Sequence, residues 1–189
     1  FLSANTAYVQ WLVDLGLTQG SPVTYAEGVL ALYSRSGLLG ETENPLMALD
    51  YALQNGAVQR LVIANPEYAP YGSAARAALE HAGTWTRARQ VLLLGANAGQ
   101  AVQYALQGDV DVALVPLPLA RLAKLQETGQ LQALPKEAFP NVELHQQMVL
   151  LPGADQKTRE FFAYLQSIDS REIFMRHGLL VPRPANPTL

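Results

Sequence analysis

Leu61 to Gly72 reads LVIANPEYAPYG, and its reading decides the fold. The apolar run Leu61 to Ala64 predicts a short buried strand. Asn65-Pro66 then breaks it, and a stiff loop carries the chain to Gly72. The alanine-rich stretch SAARAALEHAG follows, closed by Gly83, and its composition predicts a helix. A strand, a loop and a helix start together present unpaired backbone N–H groups and the positive end of a helix dipole. Such an arrangement is a cradle for an anion. The design recurs at Val91-Leu92-Leu93-Leu94, followed by GANAGQAVQYALQG. Gly72/Ser73 and Asn97/Ala98 are therefore expected at two helix N-termini that open on one cleft.

The rest of the composition narrows the class. The chain has 189 residues, 49% hydrophobic and 15% charged, with a formal net charge of −3. That is the balance of a folded protein able to bury a core. Lysine and arginine are scattered, so the basic face of a nucleic-acid binder is missing and no nucleic-acid partner is expected. No apolar run reaches the length of a membrane span. Cysteine is absent, which excludes disulfides and thiolate metal ligands and fits an exported bacterial protein. The chain opens on Phe1, without a leader's charged and apolar regions. A processed or trimmed product is expected, with Phe1-Leu2-Ser3-Ala4 as the end of a buried strand.

Along the chain, Asn5 or Thr6 can cap a helix through Leu15, ended by Gly16. Val29 to Tyr33 reads as a strand, and Asn44-Pro45 opens a helix to about Gln54. Asp111 to Val115 predicts a further short strand. Pro116-Leu117-Pro118 redirects the chain into a helix from Leu119 to Thr128. Val142 to Leu151 reads as a long strand. Asp155 to Ile168 and Ser170 to His177 read as two helices broken at Asp169. Helix and strand alternate, so the predicted class is α/β with short parallel strands.

Neither loop contains lysine or arginine, so an anion there would be held by neutral dipoles. Each such hydrogen bond to a charged group contributes about 1.5–3 kcal/mol net. Short N–H vectors also gauge an anion's radius in a way that a flexible lysine cannot. The candidate ligand-binding residues are Tyr71 and Gly72 in the first loop and Asn97 and Ala98 in the second, acting mainly through backbone N–H. Gly72 permits close backbone approach, and Tyr71 adds a phenolic wall. The plain alternative, two ordinary βα connections, stays open on pattern alone. His81, His145 and His177 lie far apart and read as surface or helix-end residues. Asp109 and Asp111 read as a solvated turn. No nucleophile elbow, phosphate loop or zinc signature is present, so no enzyme, cofactor or direct metal site is predicted.

Several runs carry a family resemblance: FLSANTAYVQWLVDLGL, YAEGVLALYSRSG, NPEYAPYGSAARAALEHAG, LGANAGQAVQYALQGDVDVALVPLPLA and FFAYLQSIDSREIFMRHGLLVP. In that order they resemble the periplasmic molybdate-binding proteins of ABC transporters, over essentially the whole chain. The resemblance implies a type II periplasmic-binding-protein fold, with two α/β lobes joined by crossing strands and the oxyanion in the cleft. It implies a first lobe from residues 1–28 and 146–189 and a second from residues 29–145. It places amide contacts at Tyr71 and Ala98. It also implies that a tyrosine contact of some members is lost, because Pro116 stands there.

By the same resemblance the first lobe lacks the family's N-terminal segment. Its apolar surface is then expected to be bare around Phe1, Leu2, Val9, Leu12 and the C-terminal helices, with self-association as one outcome. The implied function is capture of molybdate or tungstate for an ABC importer, with the membrane permease as partner and the periplasm as location. Molybdenum would enter only as molybdate. Two alternatives stay open: a binder of sulfate, phosphate or a small organic acid, and the ligand-sensing domain of a transcriptional regulator.

Overall fold

The computed structural model describes residues 1–40 and 42–182; residues 183–189, which the sequence assigns to the first lobe, lie outside them. In chain order the elements are β1 (Leu2–Ser3), α1 (Thr6–Asp14), β2 (Gln19–Glu27), β3 (Leu30–Arg35), α2 (Pro45–Gln54), β4 (Leu61–Ala64), α3 (Pro70–His81) and α4 (Trp85–Ala88). They continue with β5 (Leu92–Gly95), α5 (Ala98–Leu106), β6 (Val112–Pro116), α6 (Leu117–Leu122), β7 (Gly129–Ala133), β8 (His145–Leu150), α7 (Gln156–Tyr164) and α8 (Ile168–Arg176). Side-chain caps set several of the starts. Asn5, Asn44, Asn97, Asp155 and Ser167 each accept a backbone N–H of the helix they open, the usual N-cap device.

The chain forms two compact units, Phe1–Gly28 with Leu144–Leu189, and Val29–Glu143. The second unit is built on a five-stranded sheet in the order β5-β4-β6-β3-β7. Its strands β5, β4 and β6 are parallel, while β3 runs antiparallel to both β6 and β7. Every residue of β4 and β6 is buried, which explains their unbroken apolar runs: a parallel strand covered on both faces shows no alternation. One face carries Val62, Ala113 and Val115 against Ala101, Val102 and Ala105 of α5. Parallel crossovers are right-handed. The step from β4 to β5 and the step from β5 back past β4 to β6 run in opposite directions, so α3 covers the other face. There Ala74, Ala75, Ala78 and Leu79 are buried, and the three alanines let the helix lie close to the sheet.

Helices α2 and α4 of this unit are joined by Arg87, which reaches Asp50 through Nε (2.8 Å) and Nη2 (2.6 and 2.8 Å). Burial pushes the Asp50 carboxyl up. Hydrogen bonds from Arg87 and Gln54, with the Arg87 charge, outweigh that, and its pKa lies below the usual 3.8. The pair is partly exposed, so Arg87→Ala should cost about 1 kcal/mol at neutral pH, the upper range for a surface pair. A carboxyl with a lowered folded pKa stabilises above its ordinary value and loses that contribution as pH falls through the folded value. Denaturant unfolding should therefore show a gap between wild type and Arg87→Ala that closes below pH 3.8. A gap independent of pH would exclude the carboxylate as its source.

The first unit holds the antiparallel sheet β1-β8-β2, so among the described residues parallel pairing is confined to the second unit. Strand β2, which the sequence reading leaves unassigned, contains Gly20 and Pro22 and has irregular register against β8, so it shows no clean strand pattern. The predicted helix Leu119 to Thr128 is broken. Helix α6 ends at Leu122, and Lys124 takes a left-handed conformation (φ 57°) before a 3-10 turn at Leu125–Glu127. The predicted break at Asp169 lies instead at Ser167, the N-cap of α8, with Asp169 in its first turn. The long strand predicted from Val142 begins only at His145. Phe1 and Leu2 are bare, as the missing-segment expectation has it and against the reading as a buried strand end, while Val9, also expected to be bare, is fully buried. Among the described residues no helix is long and apolar enough to cross a membrane.

Candidate functional site

Strands β4 and β5 pair in parallel with Ala64 opposite Gly95, so both deliver their loops to the same carboxyl edge. One step beyond the ladder, the Asn65 N–H donates to the Gly95 carbonyl at 2.8 Å. The starts of α3 and α5 are thereby tied side by side, although the two helices cover opposite faces of the sheet. In open α/β sheets the crevice where adjacent strands send their helices to opposite faces is where ligands bind.

The first loop is held by its own side chains. Asn65 Oδ1 accepts the Glu67 N–H at 3.0 Å, and Ser73 Oγ donates to the Pro66 carbonyl at 2.7 Å. Pro70 occupies the first turn of α3, where its missing N–H costs nothing. Gly72 has a different role from the one its sequence position suggested. Its N–H donates to the Ala69 carbonyl at 2.8 Å, and the close approach it permits is to its own chain. A Cβ there would overlap the Ala64 carbonyl oxygen and lie 2.8 Å from the carbonyl carbons of Ala64 and Asn65. The Tyr71 ring, expected as a wall, is buried within the chain, only 8% of the residue being exposed.

The second loop is more open. Asn97 is extended (φ −151°, ψ 175°) and caps α5, its Oδ1 accepting the Gln100 N–H at 2.9 Å. Gln100 Oε1 returns to accept the Ala96 N–H at 2.6 Å, a variant of the capping box. Among the described residues, the N–H groups of Ala98 and Gly99 have no acceptor. Both residues are at least partly exposed. Gly95 turns the chain so closely that a Cβ would lie 2.8 Å from the Ala101 nitrogen. The edge thus offers two unsatisfied donors on a helix N-terminus and brings together all four residues singled out in sequence. Asn65 and Gln100 were overlooked there. Asn97-x-x-Gln100 was a legible capping signal, whereas the Asn65 bond to Gly95 depends on strand pairing.

Elsewhere His81 and His177 follow the plain reading, while His145, half-buried in a strand, and Asp111, an acceptor of two backbone N–H groups, depart from it. His81 lies in the last turn of α3 and His177 at the end of α8, while His145 opens β8. Asp111 Oδ2 accepts the N–H groups of Gln59 (2.9 Å) and Arg60 (3.0 Å) and so steadies the entry to β4. Pro116 ends β6 in register with Leu30 and carries no side-chain donor.

Three parallel strands of a mixed sheet, with donors gathered at their carboxyl edge, make the arrangement of a solute-binding lobe. The chain belongs to the bacterial extracellular solute-binding protein family, whose model matches residues 1–180, a family of binding proteins and not of enzymes. It is 24% identical over 179 residues to the molybdate-binding protein ModA of Rhodobacter capsulatus, covering 94% of this chain and 67% of that protein. It is 26% identical over 185 residues to ModA of Azotobacter vinelandii, covering 94% and 69%. The solved periplasmic molybdate-binding protein of Azotobacter vinelandii superposes with a TM-score of 0.81 at 25% identity, over 97% of this chain and 78% of that one. The fold is that of type II periplasmic binding proteins.

Proposed function

We propose that this protein captures molybdate or tungstate outside the cytoplasm and delivers it to the membrane permease of an ABC importer. The carboxyl edge of β4 and β5 would supply backbone donors from Ala98 and its neighbours, with Tyr71 on the facing helix start. The observation that carries the reading is the pair of unsatisfied amides at Ala98 and Gly99, on an edge that also belongs to a relative of molybdate-binding proteins. A dianion satisfies such donors and the positive end of α5 together. The extracellular character of the family favours transport over a regulator's sensor domain.

Molybdate and sulfate share charge and tetrahedral shape, so the cage must separate them by size. Calorimetric titration with molybdate, tungstate, sulfate and phosphate tests the reading. Binding of molybdate and tungstate in preference to the smaller anions is expected, and a protein indifferent to all four sinks it.

We further propose that the chain self-associates through its first unit. Phe1, Leu2, Trp11, Phe161, Ile168 and Met175 are all exposed there, and α7 buries none of its residues. Apolar surface left in water favours association. Light scattering should show a mass that rises with concentration and falls in Trp11→Gln/Ile168→Gln. A strictly monomeric wild type would rule this out.

A further inference from the structure

Asn65 reaches both loops of the candidate site. Its N–H bonds to Gly95 at 2.8 Å, while its carbonyl accepts the N–H groups of Tyr68 (3.2 Å) and Ala69 (2.9 Å). Its Oδ1 holds Glu67. One residue therefore closes the turn into α3 and fastens that turn to the strand that feeds α5. Gln100 does the matching work on the other side. Its side-chain Oε1 accepts the Ala96 N–H while its backbone N–H donates to Asn97 Oδ1, and the two bonds close the turn that carries the Ala98 and Gly99 amides. Asn65 is half-buried and Gln100 is exposed.

Resting on the oxyanion reading above, we propose that Asn65 and Gln100 are positioning residues whose side chains hold the shapes of the two loops that open α3 and α5, and thereby set which tetrahedral oxyanion fits. Anions of equal charge and shape differ only in radius. Donors discriminate between radii only if they cannot relax toward the smaller ion. Chain connectivity alone would let two loop-borne helix starts drift by more than the difference in radius. The main-chain bond from Asn65 to Gly95 joins the loops, and the side-chain acceptors of Asn65 and Gln100 stiffen each one without having to touch the ligand, which is preorganisation in the ordinary sense.

The test is calorimetric titration of the full chain with molybdate and with sulfate, in wild type, Gln100→Met, Asn65→Ala and Asn65→Ser. Methionine keeps the length of Gln100 and removes its acceptor. Gln100→Met and Asn65→Ala should each lower the molybdate-to-sulfate affinity ratio by about tenfold or more. Asn65→Ser, which restores an oxygen acceptor, should recover part of it. A purely structural role would weaken both anions in proportion; an unchanged ratio, or a wild type that binds both anions equally well, overturns the proposal. A wild type that binds neither anion refutes the oxyanion reading itself, and this proposal with it. Should Asn65→Ala fail to fold, Gln100→Met decides the matter, since its exposed side chain leaves the core intact.

Discussion

Replacing Ala98 by proline is expected to remove much of the oxyanion affinity while leaving the fold intact. Ala98 is the first residue of α5, the helical position that proline tolerates best. Asn97 before it is extended at φ −151° and ψ 175°, the conformation that a following proline favours. The N–H that proline deletes has no acceptor among the described residues, so no internal hydrogen bond is lost. What disappears is one donor to a charged ligand, about 1.5–3 kcal/mol. That corresponds to a fall in affinity of roughly ten- to a hundredfold. Calorimetry paired with a thermal melt separates the two effects: unchanged melting with weakened molybdate binding supports Ala98 as a ligand donor. Unchanged binding would move the anion away from the start of α5.

Gly72→Ala should act in the opposite way, through the fold. Within a helix, alanine is intrinsically better than glycine by about 1 kcal/mol, so propensity alone predicts a gain. Sterics reverse the sign. The new methyl would meet the carbonyl oxygen of Ala64 and stand 2.8 Å from two backbone carbonyl carbons, none of which can rotate away. Overpacking of this kind costs about 1–3 kcal/mol, and unyielding backbone partners place it at the upper end. For a chain of this size, melting should fall by roughly 2–4 °C per kcal/mol. Circular dichroism melts would show it. A melting temperature equal to wild type would mean that α3 can lift from β4 without loss, and that Gly72 serves something other than packing.

Much of the second unit was legible because its signals are local. Asn44-Pro45 and Asn97 announce helix starts by capping chemistry alone, and both caps are found where the sequence puts them. The runs LVIA and VALV read as buried strands because a strand covered on both faces needs apolar residues throughout; that the second extends to Pro116 came only from the structure. The elements that escaped are those whose pattern serves distant partners. Strand β7, GQLQA, is polar and opens on a glycine, because Gly129 lies against the carbonyl of Ser34 and the ring of Tyr33. Lys124 gives no warning that it will take a left-handed conformation and split a helix.

The candidate site divides along the same line. By itself, the sequence determined that two short strands each end in a lysine- and arginine-free loop before a helix, and so that any anion held there meets neutral dipoles. It also determined that the second helix would start at Asn97/Ala98. Only the tertiary structure decided that β4 and β5 lie side by side and parallel, which brings the two loops to one edge. It likewise turned Gly72 toward the chain's own backbone, buried the Tyr71 ring, and joined Asn65 to Gly95. The reason is that capping and strand propensity act over a few residues. Strand order and close backbone approach are settled by which apolar faces can be buried together, and that is a property of the whole folded unit.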